Sequence, residues 1–134
     1  MLPVKYISNL VLFINVSFLV IAKPGTPTFE AVGCFEDKHI KPRPLPILLI
    51  NLRPFIDWSN LNKTIKECAR RTFNHPFLKL KYFGVQFYGE CYSGVEGEKT
   101  YNKDGPSKDC IMGVGKGYAN FVYKLVLKGK IFTL

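Results

Sequence analysis

The sequence predicts a small α+β domain that is stapled by disulfide bonds. One stretch has the periodicity of an amphipathic helix, and three stretches are rich in strand-forming residues. Four cysteines follow an apolar N-terminal leader in a chain of 134 residues. A domain of this size buries little apolar surface, so cross-links contribute a large share of its stability.

The leader, residues 1–22, has the pattern of a secretory signal peptide. Lys5 is its positive residue, residues 10–21 are mostly apolar, and Ala22 ends it with a small side chain. The apolar run is shorter than the ~20 residues that span a bilayer, so no stable membrane span is expected, although an uncleaved signal anchor is the alternative. The leader therefore predicts a secreted, extracellular protein in an oxidising compartment.

Composition divides the remaining chain into three parts. The Pro/Gly-rich residues 23–29 are a predicted spacer, residues 30–125 the folded domain, and residues 126–134 a poorly ordered C-terminal tail. The four cysteines of the domain allow three pairings. We favour the nested one, Cys68–Cys91 inside Cys34–Cys110.

The first elements precede the helix. Residues 30–35 predict a strand, and alternate prolines give residues 41–46 an extended path. Residues 47–50 are apolar and predict a short turn of helix or a buried loop. The following irregular stretch contains Trp58, which we assign to the core rather than to a ligand platform.

The clearest element is a helix that begins near Thr64. Thr64 and Glu67 have the spacing of a capping box. An apolar stripe with helical spacing follows, and Pro76 ends the element. The stripe consists of Ile65, Cys68, Ala69, Thr72 and Phe73. Cys68 therefore points toward the core, where a bond to Cys91 would clamp the helix to the sheet.

Two further strands are predicted in the second half of the chain. Residues 79–88 are rich in strand formers, with a tight turn at Gly89 and Glu90. Residues 94–117 predict a long glycine-rich surface loop pinned by Cys110. A final strand runs from Tyr118 to about Val126.

Several short motifs resemble the WSC domain, a cysteine-rich extracellular module, over about residues 31–124. The longer motif at 83–91, continued by Gly94 and later by Ala119-Asn120-Phe121-Val122-Tyr123, is similar to a variant in secreted proteins of marine invertebrates. The resemblance implies a PAN/apple-like fold, in which one main helix packs across a curved antiparallel sheet, and it implies carbohydrate binding. The motifs are Gly33-Cys34-Phe35 with Asp37, Arg43 and Leu45, Thr64 before Glu67-Cys68-Ala69, and Tyr82-Phe83-Gly84-Val85-Gln86 before Glu90-Cys91.

Candidate ligand-binding residues lie near the strand end and the glycine-rich loop. Aromatic faces beside a few fixed polar groups are typical of sugar sites. The candidates are Tyr88, Glu90, Tyr92 and Tyr101, and the alternative is that the tyrosines only cover the sheet edge. Asn62-Lys63-Thr64 is a glycosylation sequon, so Asn62 is expected to be exposed.

The sequence predicts no catalytic residue, metal or cofactor. His39 and His75 are the near-neutral bases, and no motif links either to an activated serine or cysteine. Oxidised thiols would be lost as nucleophiles or zinc ligands. The acidic residues of the 94–117 loop match no calcium-binding spacing and alternate with lysines.

The net charge of the chain is +9, and removal of Lys5 with the leader leaves +8. Such charge favours anionic partners, although a secreted protein has little access to nucleic acid. The leading hypothesis is a non-catalytic secreted glycoprotein module that binds glycan or extracellular matrix. The rival is a basic effector, a toxin or host-defence protein that acts on anionic membranes through the segment 124–134. Neither hypothesis predicts an oligomeric state.

Overall fold

The structure is a computed structural model that describes residues 25–126. The predicted signal peptide, and residues 127–134 of the predicted tail, lie outside the described residues. The described chain contains two helices, seven strands and a 3-10 turn. The elements are β1 (Thr28–Glu36), β2 (Ile47–Asn51), the 3-10 turn (Arg53–Phe55), α1 (Asn62–Phe73), β3 (Tyr82–Gln86), β4 (Glu90–Ser93), α2 (Gly97–Thr100), β5 (Cys110–Ile111), β6 (Val114–Gly115) and β7 (Ala119–Val126).

Five strands form one antiparallel sheet in the order β1-β7-β3-β4-β2. β5 and β6 form a separate two-stranded ribbon. The predicted α+β class, an antiparallel sheet with one main helix, is therefore confirmed. The central position of β3 suits its sequence, because all five of its residues are buried.

The helix α1 covers one face of the sheet and closes the main core. Its buried side includes Ile65, Cys68 and Ala69, which join Phe83 and Val85 from β3 in a single apolar cluster. The structure contains both predicted disulfide bonds, Cys68–Cys91 and Cys34–Cys110. The first of them joins α1 to β4, so it ties the helix to the sheet beneath it.

The predicted capping box is wrong. The helix begins at Asn62, two residues before Thr64, and no side chain caps its first turn. Glu67 instead accepts hydrogen bonds from Arg70 and Arg71, one turn further along. Hydrogen bonds from Arg70 first, and then from Arg71, lower the pKa of Glu67 to about 2.

Glu67→Gln is expected to cost under about 1 kcal/mol at neutral pH, because these ion pairs are partly exposed. The folded pKa of Glu67 lies below its ordinary value of 4.5, so its contribution is complete above that value. The contribution is lost as pH falls toward about 2. Urea unfolding of the parent protein and of Glu67→Gln at several pH values should show that their difference in free energy of unfolding shrinks as pH falls from 4.5 toward about 2. A difference that grows with acidity would contradict the assignment.

Several other expectations differ from the structure. Residues 47–50 belong to β2, where Leu48 faces Tyr92 of β4, rather than to a helical turn or buried loop. Trp58 is 62% exposed and lies outside the core. Phe73 is also exposed, at the end of the predicted apolar stripe. The region 94–117 contains α2, β5 and β6, and its Val114 is fully buried in the core.

The first and last strands extend beyond residues 30–125, the predicted folded domain. β1 begins at Thr28, within the predicted spacer, where the Phe29 ring packs edge-on against Phe83 and Tyr123. β7 includes Val126, which is the first residue of the predicted tail and the last described residue.

A second, smaller apolar cluster covers the opposite face of the sheet. It consists of Leu45, Tyr82, Tyr92 and Val122. Leu45 comes from the proline-rich segment before β2, so that segment packs over the sheet rather than away from it. Polar side chains replace this cluster at one end of the same face.

A candidate binding site at the end of the sheet

A row of three polar residues crosses the sheet where the face opposite the helix turns polar. Gln86 on β3 pairs with Glu90 on β4 and with Asn120 on β7. Cross-strand partners point to the same face, so their side chains lie side by side. The segment after β1 places Asp37 and its neighbours over this row. We refer to Asp37, His39, Arg43, Gln86, Glu90, Tyr118 and Asn120 as the sheet-end site.

Asp37 is the fully buried anion of this site. Arg43 donates to it from Nη2 at 2.7 Å and from Nε at 3.2 Å, and the His39 backbone N–H donates at 2.9 Å. The guanidinium carbon of Arg43 also lies 4.5 Å from the centre of the Tyr92 ring. Arg43 is therefore held on two sides while 21% of its side chain remains accessible.

Gln86 connects the buried groups to the surface. Its amide nitrogen donates to Asp37 Oδ2 at 3.0 Å and to Asn120 Oδ1 at 3.1 Å. Its carbonyl Oε1 lies 2.6 Å from His39 Nε2. Because a carboxamide oxygen only accepts, His39 Nε2 is the donor in this arrangement.

Burial and hydrogen bonding shift the pKa of Asp37 in opposite directions. Desolvation on its own would raise the pKa of this carboxyl group. Hydrogen bonds from Arg43, Gln86 and the His39 backbone outweigh it, so the pKa of Asp37 lies below its ordinary value. The Asp37 carboxylate is therefore ionised at neutral pH, and its oxygens already accept hydrogen bonds from protein donors.

Asn120 has an unused donor inside the site. Its side chain is completely buried, and its Nδ2 has no hydrogen-bond partner among the described residues. The carboxamide packs over Gly84, where a Cβ atom would lie 2.9 Å from Asn120 Oδ1. Native proteins leave few such groups unpaired, and each unpaired donor costs free energy. Because the atom is closed off from solvent, a buried water is the partner that could pair with it without a rearrangement.

The outer rim of the site contains an exposed aromatic pair. The rings of His39 and Tyr118 stack with their centres 4.3 Å apart, and the Tyr118 side chain is 63% exposed. Both residues have positive φ values, 60° and 61°. The left-handed conformation is unfavourable for such residues and clusters at functional sites.

The adjoining β3–β4 turn continues this rim. Phe87 and Tyr88 also have positive φ values, and they place the turn two residues before the predicted position. The Arg53 guanidinium lies 3.6 Å from the centre of the Phe87 ring. The same arginine approaches Glu90 at 3.8 Å. A cationic group and an aromatic ring therefore lie together beside Glu90 at the polar end of the sheet.

The four predicted ligand-binding residues do not form one surface. Glu90 and Tyr92 lie together, with the tyrosine hydroxyl 3.4 Å from the carboxylate, but Tyr92 is buried. Tyr88 packs against the helix-side core and against Trp58. Tyr101 stacks on Tyr82, in the apolar cluster of the opposite face.

Most of the sheet-end site was missed by sequence reasoning. Asp37, Arg43 and Gln86 occur in the motifs that resemble the WSC domain, and this was the available signal. Asn120 occurs only in the longer similar motif at the end of the chain. Nothing in the sequence singled out Tyr118 as a partner of His39.

The remaining predicted sites give simpler results. Asn62 is exposed on the first turn of α1, whereas Thr64 of the same sequon is buried. Residues 25–126 contain no group of three or more His, Cys, Asp or Glu side chains arranged to hold a metal ion. Within the same residues, no helix has the length and apolar character needed to cross a membrane.

The chain was compared with protein-family models, with curated proteins and with solved structures. None of the three comparisons found a match. The resemblance to the WSC domain thus stays a prediction from its motifs.

Proposed function

We propose that this protein is an extracellular, non-catalytic binding module that recognises a glycan at the sheet-end site. The observation that carries the proposal is the exposed His39–Tyr118 stack beside Arg43, whose guanidinium is fixed by Asp37 and keeps accessible surface. Sugar rings pack on aromatic faces, and their hydroxyl groups complete nearby hydrogen bonds. Disulfide bonds are compatible with the oxidising compartment that the leader predicts.

The net charge of the chain and two partly accessible arginines favour acidic glycans. Within the site the charges balance, since Arg43 pairs with Asp37 and Arg53 lies 3.8 Å from Glu90, but both guanidinium groups keep accessible surface. The carboxylate or sulfate groups of an acidic glycan can accept hydrogen bonds from the exposed guanidinium nitrogens. A chain of strongly positive net charge would also attract such polyanions over a distance.

Binding is a better assignment than catalysis for this geometry. All four cysteines form disulfide bonds, so none is a nucleophile. The Nε2 atom of His39 is engaged by the Gln86 carbonyl rather than by a serine hydroxyl. The rival membrane-active role rests on charge and on a segment that lies mostly outside the described residues.

A glycan array probed with the folded, secreted protein tests the proposal. We expect binding to acidic glycans, and a loss of about five- to thirtyfold in Tyr118→Ala, since a stacking face contributes ~1–2 kcal/mol. Phe77→Ala is the matched control, because Phe77 is an exposed aromatic residue outside the site. Signal at background for all glycans, or equal losses in both variants, would refute the assignment.

A further inference from the structure

A second surface, on the opposite edge of the sheet from β1, has the features of a peptide-binding groove. β2 is an edge strand that pairs only with β4 among the described strands. A groove of about 350 Å³ lies between β2 and the C-terminal end of α1. Its lining consists of Ile47, Leu48, Leu49, Arg70, Arg71, Asn74, His75 and Pro76.

The groove runs along the backbone of β2. Ile47 and Leu48 both line it, although their side chains point to opposite faces of the strand, and Leu49, at a bulge, lines it as well. A groove lined by both sets of side chains must follow the strand edge between them. The unpaired backbone N–H and C=O groups of that edge are therefore available to another extended chain.

The helix side of the groove offers donors and positive charge. Arg70 and Arg71 both donate hydrogen bonds to the Glu67 carboxylate. In Arg71, only Nε takes part in this contact. The two Nη groups of Arg71 have no partner among the described residues. His75 Nδ1 accepts from two backbone N–H groups, so the neutral ring carries its proton on Nε2, another donor.

We propose that this groove binds an extended acidic segment of another protein, which adds to β2 as a sixth strand. The backbone of the segment pairs with the open edge, and a carboxylate side chain pairs with Arg71. Strand addition beside a helix is a recurrent mode of peptide recognition, in which main-chain hydrogen bonds supply affinity and side-chain pockets supply specificity. The apolar side chain of Leu48, 51% exposed, offers contact to an alternate apolar residue.

A second copy of this chain is a less suitable occupant than an acidic partner. Pairing two copies through β2 would bring the arginines of both grooves to one interface, where like charges repel, whereas an acidic segment is complementary to them. The inference does not depend on the proposed glycan site, which lies at the polar end of the other face.

The test begins with a displayed library of random twelve-residue peptides, panned on the secreted protein. We expect the enriched peptides to share an Asp or Glu at one position, with apolar residues alternating around it. The best peptide, synthesised with a fluorescent label, should bind at least about tenfold more weakly to Arg71→Glu and Arg71→Ala. Lys66→Glu is the matched control, because Lys66 lies on the same helix outside the groove.

Backbone pairing is tested on the peptide, which leaves the protein fold untouched. N-methylation at alternate residues should abolish binding in one phase and be tolerated in the other, since only every second N–H of an added strand faces β2. Enriched peptides without an acidic residue, unchanged binding to Arg71→Glu, or equal effects of both methylation phases would each overturn the proposal. A protein dimer that light scattering detects, and that Arg71→Glu dissolves, would overturn it in favour of self-association.

Discussion

Replacing Cys34 and Cys110 together by alanine is expected to lower the free energy of unfolding by about 4.5 kcal/mol. The two cysteines are 76 residues apart, so the bond closes a long loop and removes much entropy from the unfolded chain. Since a small domain has a total stability of about 5–15 kcal/mol, the variant should be mostly unfolded well below the melting temperature of the parent protein. Urea unfolding monitored by circular dichroism measures the loss.

The other disulfide supplies a comparison within the same protein. Cys68 and Cys91 are 23 residues apart, for which loop entropy alone gives about 3.5 kcal/mol. Both side chains are fully buried against the core, so their replacement by alanine also creates a cavity. The measured loss of stability on replacing Cys68 and Cys91 should therefore exceed the about 3.5 kcal/mol that loop entropy alone gives. A loss below about 1 kcal/mol for either pair would show that these bonds do not constrain the unfolded state as described.

Asp37→Ala is expected to destabilise the domain by about 3–5 kcal/mol, the usual cost of leaving a buried charge network without one partner. The carboxylate accepts from Arg43, Gln86 and the His39 backbone, and none of these donors gains a replacement. Chemical denaturation measures the loss. Asp57→Ala serves as the control, because Asp57 pairs with Lys63 at the surface and should matter far less.

The pH dependence of the free energy of unfolding, compared between the parent protein and Asp37→Ala, gives a second test. The pKa of Asp37 is lowered from its ordinary value of 3.8, so its stabilising contribution is complete above that value. The contribution disappears as pH falls through the lower folded pKa. The parent protein should thus lose its advantage over Asp37→Ala in strong acid. An advantage that persists unchanged at the lowest pH would mean that the carboxylate charge is not what stabilises the network.

Local patterns were enough to predict the helix and three strands of the sheet. Strand-forming residues marked β1, β3 and β7, and the helical stripe placed Cys68 against the sheet. β2 was missed because a short apolar run does not distinguish a strand from a buried helical turn. Its identity depends on pairing with β4, about forty residues later in the chain. The capping box failed because the helix starts earlier and Arg70 takes the glutamate.

The candidate site was less predictable because it also depends on contacts between residues far apart in the sequence. Its central contacts join Gln86 to Asp37 and Asn120, across 49 and 34 residues of sequence. A polar residue in a strand pattern looks like a surface residue until its partners are placed. Glu90 was singled out with Tyr92 because both lie near the strand end, but Tyr92 is buried and only Glu90 belongs to the sheet-end site. Trp58 was assigned to the core, whereas it is exposed and its ring packs edge-on against Tyr88.

The nested arrangement of the two disulfide bonds has a consequence for proteolysis. Every peptide bond between residues 34 and 110 lies inside the outer loop, so a single cut there releases no fragment. The exposed segments near α2 and after β1 both fall within this interval. A protease could nick the domain at either place, and the two pieces would stay joined until a reductant separates them.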